Sequence, residues 1–283
     1  MSILIKRTLT YHWTKALVVI LMLIFGAWQF FEVIQNFTTQ WYWLVIATLY
    51  TVTINDTFNH RICQHGMIKP NVNALAYKIL TYLASLDQCF GPVRTGAIWH
   101  ISHHKYSDQS TRDNLNFKIY FYGIAGGLPF DFLGPKLEIP DIQKLVNQSY
   151  KLRKEIINDP WTQFCEKHDL KLTVVTLLIL YFTLPLFLFK ILFLGRFIMM
   201  LALIGTGICH IPNVPLTYRN FNTSDTSYNN LILHYLFLGI FCGMLQNNHH
   251  GRPNSLNTGV RWWEIDTSIP IVYFLKFLIG KKL

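Results

Sequence analysis

Apolar positions along the chain gather into two pairs of long runs, with mixed and polar stretches between and after them. Residues 16–34 (ALVVILMLIFGAWQFFEVI) form the first run. As a helix at 1.5 Å per residue it would reach about 28 Å, the depth of a bilayer's hydrocarbon core. A second run, 41–58, follows the short turn Asn36–Gln40, which holds no Lys or Arg. The two runs predict a membrane hairpin. A second hairpin is expected over 170–189 and 191–212, divided at Lys190 and containing Pro185 and Arg196. Lys6, Arg7 and Lys15 before the first run resemble the start of a signal peptide, but the run is too long and lacks a small-residue cleavage site, so it is expected to stay as a span.

The basic residues lie before residue 16 and after residue 60, which places the open ends of the first hairpin, and with an even number of spans both termini, on the cytosolic side. Residues 59–169 mix Gly, Pro and charge and read as a cytosolic cap. Within it, 75–90 carries Lys78 and Asp87 and is expected to be an interfacial amphipathic helix. The tail, 213–283, completes the cap; its apolar part, 231–245, is short for a span and holds His234, so a buried or interfacial helix is expected. The predicted fold is an all-α integral membrane protein over 1–283, with four transmembrane helices in two hairpins and a cytosolic helical cap.

Composition supports the membrane reading: 51% of residues are hydrophobic and 14% charged, against about a quarter charged in soluble proteins. The net charge of +10 is spread between apolar runs, with no zinc-finger or RNA-binding signature. An anionic membrane surface is therefore the expected partner, and nucleic acid is not. Five cysteines, odd in number and without a Cys-x-x-Cys pair, argue against a disulfide framework and a structural zinc site.

The chemistry lies in the histidines. His100, His103 and His104 stand at i, i+3 and i+4 and would share one helical face. His60 and His65, His210, and His249 with His250 lie in three further segments beside apolar runs. Eight imidazoles exceed the six positions of an octahedral ion, so two metals are expected, although imidazole alone does not choose among zinc, copper, iron and nickel. Neighbours on a helix diverge by about 100°, which suits His103 and His104, or His249 and His250, to different ions. His60 and His65, five apart, do not share a regular helical face and are expected to bracket one ion where the helix ends. Glu-x-x-His pairs, His-Glu-x-x-His, Gly-x-Ser-x-Gly, phosphate-loop and dinucleotide signatures are all missing from the sequence. His12, His168 and His234 are read as structural, and Cys63 and Cys209 as packing residues. Asp56, Asp108, Asp113 and Asp225 are candidates to orient the imidazoles; for the first three, solvated surface carboxylates are an equal alternative.

From about residue 40 to 270 the chain resembles the membrane fatty acyl desaturases of the acyl-CoA delta-9 type. The motifs are His60-x4-His65; His100-x2-His103-His104 with Tyr106-Ser107-Asp108 and Asp113; Thr223-x-Asp225-x-Ser227-x-Asn229-Asn230; Asn247-Asn248-His249-His250-x-x-Pro253-Asn254-Ser255; and Arg261-Trp262-Trp263-Glu264-Ile265-Asp266. The resemblance implies two irons that activate O₂ to desaturate a fatty acyl chain, on an acyl thioester or a lipid, giving a cis double bond near delta-9. By it, His60, His65, His100, His104 and His249 hold one iron, and His103, His210 and His250 belong to the other.

Two positions depart from the pattern, both at the second iron: Gln246 stands where the last motif opens with histidine, and Thr206 where an asparagine precedes the equivalent of His210 by four residues. Gln246 can offer its amide oxygen as a metal ligand and Thr206 a hydroxyl, so a more weakly or openly held second iron is expected. A fatty acyl hydroxylase on the same scaffold and a catalytically silent metal- or lipid-binding relative are the alternatives. A haem protein would not use eight clustered histidines. Arg94, Lys105, Arg112 and the 151–154 cluster could hold an acidic head, or simply supply positive-inside charge. Electrons are expected from a separate carrier of ferredoxin, rubredoxin or cytochrome b5 type.

Overall fold

The computed structural model describes residues 9–87, 92–107, 140–183 and 187–281. The chain is mostly helical. The first long helix, α1 (Leu9–Gln35), is followed by a single turn, α2 (Phe37–Gln40), and by α3 (Tyr42–Thr51), which passes without a break into a π-helix (Val52–Gln64). The cap helices are α4 (Leu75–Asp87), α5 (Val93–Tyr106), α6 (Pro140–Leu152), α7 (Lys154–Asn158) and α8 (Pro160–Lys167). Two apolar helices follow, α9 (Asp169–Thr183) and α10 (Phe187–Ile208). The tail holds a two-stranded antiparallel ribbon, β1 (Thr217–Tyr218) with β2 (Asn229–Asn230), then α11 (Leu231–Leu236), α12 (Gln246–Gly251) and α13 (Ile269–Ile279). Among the described residues, that ribbon and two isolated bridges depart from an all-α chain.

Among the described residues, Leu17–Gln35 and Phe187–Ile208 are long and apolar enough to cross a membrane. The other two expected spans are shorter as regular helices: α3 has ten residues before the backbone widens, and α9 has fifteen before residue 184. The expected break is not at Lys190, which lies inside α10. Its ammonium bonds Gln40 at 2.7 Å and Glu32 at 3.3 Å and lies over the Trp43 ring. The end of α1, the turn at α2 and the start of α10 are thereby tied together at one end of the bundle. His60, His65 and His210 lie past the opposite ends of α3 and α10.

Two apolar clusters hold the molecule. Val33, Ala47, Val52, Leu194, Ile198, Met199 and Phe241 join the long helices, which leave Ile24, Trp28, Phe31, Leu49 and Leu178 exposed, a surface suited to lipid. Phe58, Ile62, Tyr77, Ala97, Ile157, Val272 and Leu275 form the cap core. The expected amphipathic helix appears as α4, burying Tyr77, Leu80 and Ala84 and exposing Leu75 and Ile79; residues 88–90 of the expected range lie outside the described residues. The single helix expected over 231–245 is instead broken after Leu236. Leu238 and Gly239 take φ of 55° and 65°, a left-handed turn that glycine adopts without cost. A β-carbon on Gly239 would also meet the Ile265 carbonyl oxygen at 2.3 Å, so the turn can pack only with glycine there.

Candidate metal centre

The π-helix brings His60 and His65 together. Bonding from each N–H to the carbonyl five residues back widens the turn, so residues five apart face the same way. The His65 amide bonds the His60 carbonyl at 3.0 Å. Side chains follow the same register: Arg61 donates to Asp56 at 3.1 Å, Gln64 to Asn59 at 3.2 Å, and the His60 and His65 Nε2 atoms stand 3.2 Å apart. The expectation that these two histidines share no helical face is corrected by this wider winding. Periodicity at 3.6 residues could not have shown it.

Around that pair four segments converge. His100 Nε2 lies 3.1 Å from His60 Nε2 and 2.8 Å from His65 Nε2; His104 Nε2 lies 3.1 Å from His100 Nε2; His249 Nε2 lies 3.1 Å from His65 Nε2. Ligand nitrogens about 2.0–2.1 Å from one ion and at right angles to one another stand about 2.9 Å apart. The spacings of His60, His65, His100 and His249 therefore fit a coordination sphere, and His104 joins it through His100. Neutral rings aimed at one another carry at most one N–H each to share, so several Nε2 lone pairs are left facing the centre, a donor set that a cation would fit. Burial, followed by neighbouring imidazoles, pushes His65, His100, His104 and His249 well below the ordinary histidine range, so these rings are neutral and ready to bind.

A second group lies alongside. The Gln246 amide nitrogen is 2.8 Å from His250 Nε2 and 3.1 Å from His210 Nε2. The His103 ring centre is 5.1 Å from that of His250. His250 Nδ1 donates to Asp225 at 2.5 Å, which frees Nε2 to face the group. Burial pushes His250 down to about 4 although Asp225 opposes the shift. For Asp225, burial alone would raise the carboxyl; hydrogen bonds from His250, Ser227 and Thr223 outweigh it and hold it far below the carboxylate range. The Thr206 hydroxyl donates to the Ala202 carbonyl at 3.0 Å. Gly243 sits so close that a β-carbon there would meet Thr206 Oγ1 at 2.1 Å, so the segment before Gln246 can reach α10 only with glycine at that position.

The short helix α12 is held by its asparagines. Asn248 donates to Glu264 at 2.9 Å and to the Thr258 carbonyl at 3.0 Å, and accepts from Asn220 and Asn229 at 2.8 Å each. Asn247 accepts from the backbone N–H groups of Asn220 and Phe221 at 2.8 Å. Burial alone would raise Glu264; Tyr218, the Arg261 and Val260 amides and Asn248 together lower it. On the other side, buried Arg61 pairs with Asp56 at 3.1 Å and Asp266 at 2.9 Å, tying the π-helix to the tail. Removing one partner of such a buried pair costs about 3–5 kcal/mol.

Of the candidate orienting carboxylates, Asp225 reaches its histidine. Asp56 stands 3.9 Å from His60 Nδ1, beyond hydrogen-bond reach, and spends its oxygens on Arg61 and Cys242. Asp108, Asp113 and Arg112 lie outside the described residues. Cys63 and Cys209 are buried. Cys242, which the sequence reading left unassigned, places Sγ 3.4 Å from His60 Nδ1 and 3.0 Å from Asp56; no spacing motif points to it. Arg94 bonds the Ile157 carbonyl at 3.1 Å and Arg153 is buried, so neither is a free anion site, whereas Lys105, Lys151 and Lys154 are exposed.

The fold and the converging imidazoles define a helical membrane protein with a histidine-rich metal-binding centre. A profile of the fatty acid desaturase family matches residues 36–268, and the chain belongs to that family. It is also 27% identical over 191 residues to an sn-1 stearoyl-lipid 9-desaturase of Synechocystis, an alignment covering 67% of this chain and 55% of that protein. The chain thus spans about half the length of the curated relative it matches.

Proposed function

We propose that the protein is an O₂-dependent fatty acyl desaturase that introduces a cis double bond near delta-9 into an acyl chain carried on a lipid or thioester. The observation that carries this reading is the convergence of five imidazole Nε2 atoms at 2.8–3.2 Å, with a second donor group beside them, in a chain of the desaturase family. His60, His65, His100, His104 and His249 would hold one iron; His103, His210, His250 and Gln246 the other. Bound iron would supply the oxidising power, with O₂, to take two hydrogens from unactivated methylenes.

The chain's own residues set position and protonation. Burial keeps the rings neutral, Asp225 fixes the His250 tautomer, and the Asn247 and Asn248 bonds hold α12 against the tail. Four membrane spans in two hairpins, with the histidine-bearing ends and cap on the cytosolic side, fit the shared turn end at Glu32, Gln40 and Lys190. Electrons would come from a separate ferredoxin, rubredoxin or cytochrome b5 type carrier.

Gln246, an amide among imidazoles, favours a second reading in which the altered donor group directs the same oxidant to hydroxylation. Mass analysis of lipids from cells making the protein separates the two. A loss of two hydrogens, abolished in His100→Ala, supports desaturation; a gain of one oxygen supports hydroxylation; unchanged lipids in iron-loaded protein with a working electron donor overturn both.

A further inference from the structure

Two apolar faces lie back to back on α13. The inner one, Val272, Leu275 and Ile279, is buried in the cap core with Phe58, Ile62 and Tyr77. The outer one, Pro270, Tyr273, Phe274, Phe277 and Leu278, is exposed throughout, with Phe277 at 84%. Its spacing of i, i+3, i+4, i+7 and i+8 is a complete helical stripe, where a solvated helix would carry polar residues. Lys276 is the single charged residue of the eleven. At about 16 Å the helix is too short to cross a bilayer.

Its place in the fold says what covers the stripe. Ile271 packs against both the cluster that joins the long helices and the cap core, so the first turn of α13 sits where membrane helices give way to cap. The far end is pinned beside α4: the Asn71 amide bonds the Ile279 carbonyl at 2.6 Å and the Lys281 amide bonds the Lys69 carbonyl at 3.0 Å. Lys69 and Lys281 share Glu155, at 3.3 and 2.5 Å, which leaves this end of the helix net positive together with Lys276.

We propose that α13 is an in-plane membrane helix, its outer stripe sunk into the headgroup–acyl boundary of the bilayer that α1 and α10 enter, with Lys276 and the Lys69–Lys281 end toward anionic headgroups. The inference rests on the membrane reading of the long helices. Asp266 lies three residues before α13 and holds Arg61, the residue next to His60 on the π-helix. Anchoring α13 therefore sets the depth of the histidine centre relative to the lipid surface.

The test uses the full chain in vesicles of phosphatidylcholine and phosphatidylglycerol, with a fluorescent probe on single cysteines in a Cys89→Ser background; Cys63, Cys165, Cys209 and Cys242 are buried. Probes at Phe274→Cys and Phe277→Cys are expected to be quenched at least about threefold more strongly than one at Lys154→Cys by lipids labelled near the headgroup. A probe at Ile24→Cys in α1 should respond best to lipids labelled deep in the chains. Metal binding by each variant reports its fold. If Ile24 is quenched while Phe274 and Phe277 match Lys154, the α13 inference fails alone; if Ile24 also escapes, the membrane reading fails with it. Probes on α13 that are hidden from lipid and cross-link between copies would show a protein interface instead, and overturn the proposal.

Discussion

The two donor groups of the centre are built differently. The first stands largely on long elements: His60 on the π-helix and His65 at its C-terminal cap, His100 and His104 on α5, with His249 completing it from α12. The second draws on short ones: His210 just past the end of α10, and Gln246 and His250 on a six-residue helix, with His103 from α5. The first has five imidazoles at close spacing. The second has an amide in place of one, and its order depends on Asp225, the asparagine bonds and a glycine contact. Position in the first group follows from helix geometry, while position in the second follows from a hydrogen-bond network, so the second should be the one that loosens first.

The largest effect should come from His100→Ala, since His100 touches His60, His65 and His104. Loss of metal from the first group and a fall in product of at least about 100-fold are expected, read by metal analysis and lipid profile. Asp225→Ala should weaken metal binding at the second group by about 10–100-fold and leave the first unchanged, which a metal titration would show; equal loss at both would mean that the two groups depend on the same support. Gln246→His should act in the opposite sense, slowing removal of the second metal by a chelator by about tenfold. The smallest effect is on acid stability. Glu264 and Asp266 are both lowered in the fold, so the unfolded chain takes up protons first and their contribution is complete above about pH 4.5, being lost as pH falls through their folded values. Unfolding curves of Glu264→Gln should be flatter than those of the parent below that pH.

The grouping of histidines was legible in the sequence because it rests on local spacing, a shared helical face for His100, His103 and His104; of the four apolar runs, two are helices of membrane length among the described residues. The 100° between neighbours predicts that His103 and His104 point apart, yet the His104 ring lies 4.5 Å from that of His250, closer than His103 at 5.1 Å. The π-helix was not legible, because its widening depends on contacts such as Arg61 with Asp266 from the far end of the chain. The break at Gly239 was hidden by the uniform apolarity of 231–245, and it took the Ile265 carbonyl to require it. Cys242 carried no motif, and its place beside His60 arises only when α12's approach is fixed. The outer stripe of α13 was visible as letters, but which face of the helix stays uncovered is decided by packing.

The wide winding from Val52 to Gln64 makes this stretch sensitive to residue count in a way its composition does not advertise. Deleting one residue there would let the coil relax to the ordinary pitch, turning everything downstream by roughly a quarter of a revolution. His65 would then swing away from its neighbours although no donor had been replaced. Divergence among natural variants should accordingly tolerate exchange of side chains along this helix far more readily than any change in its length.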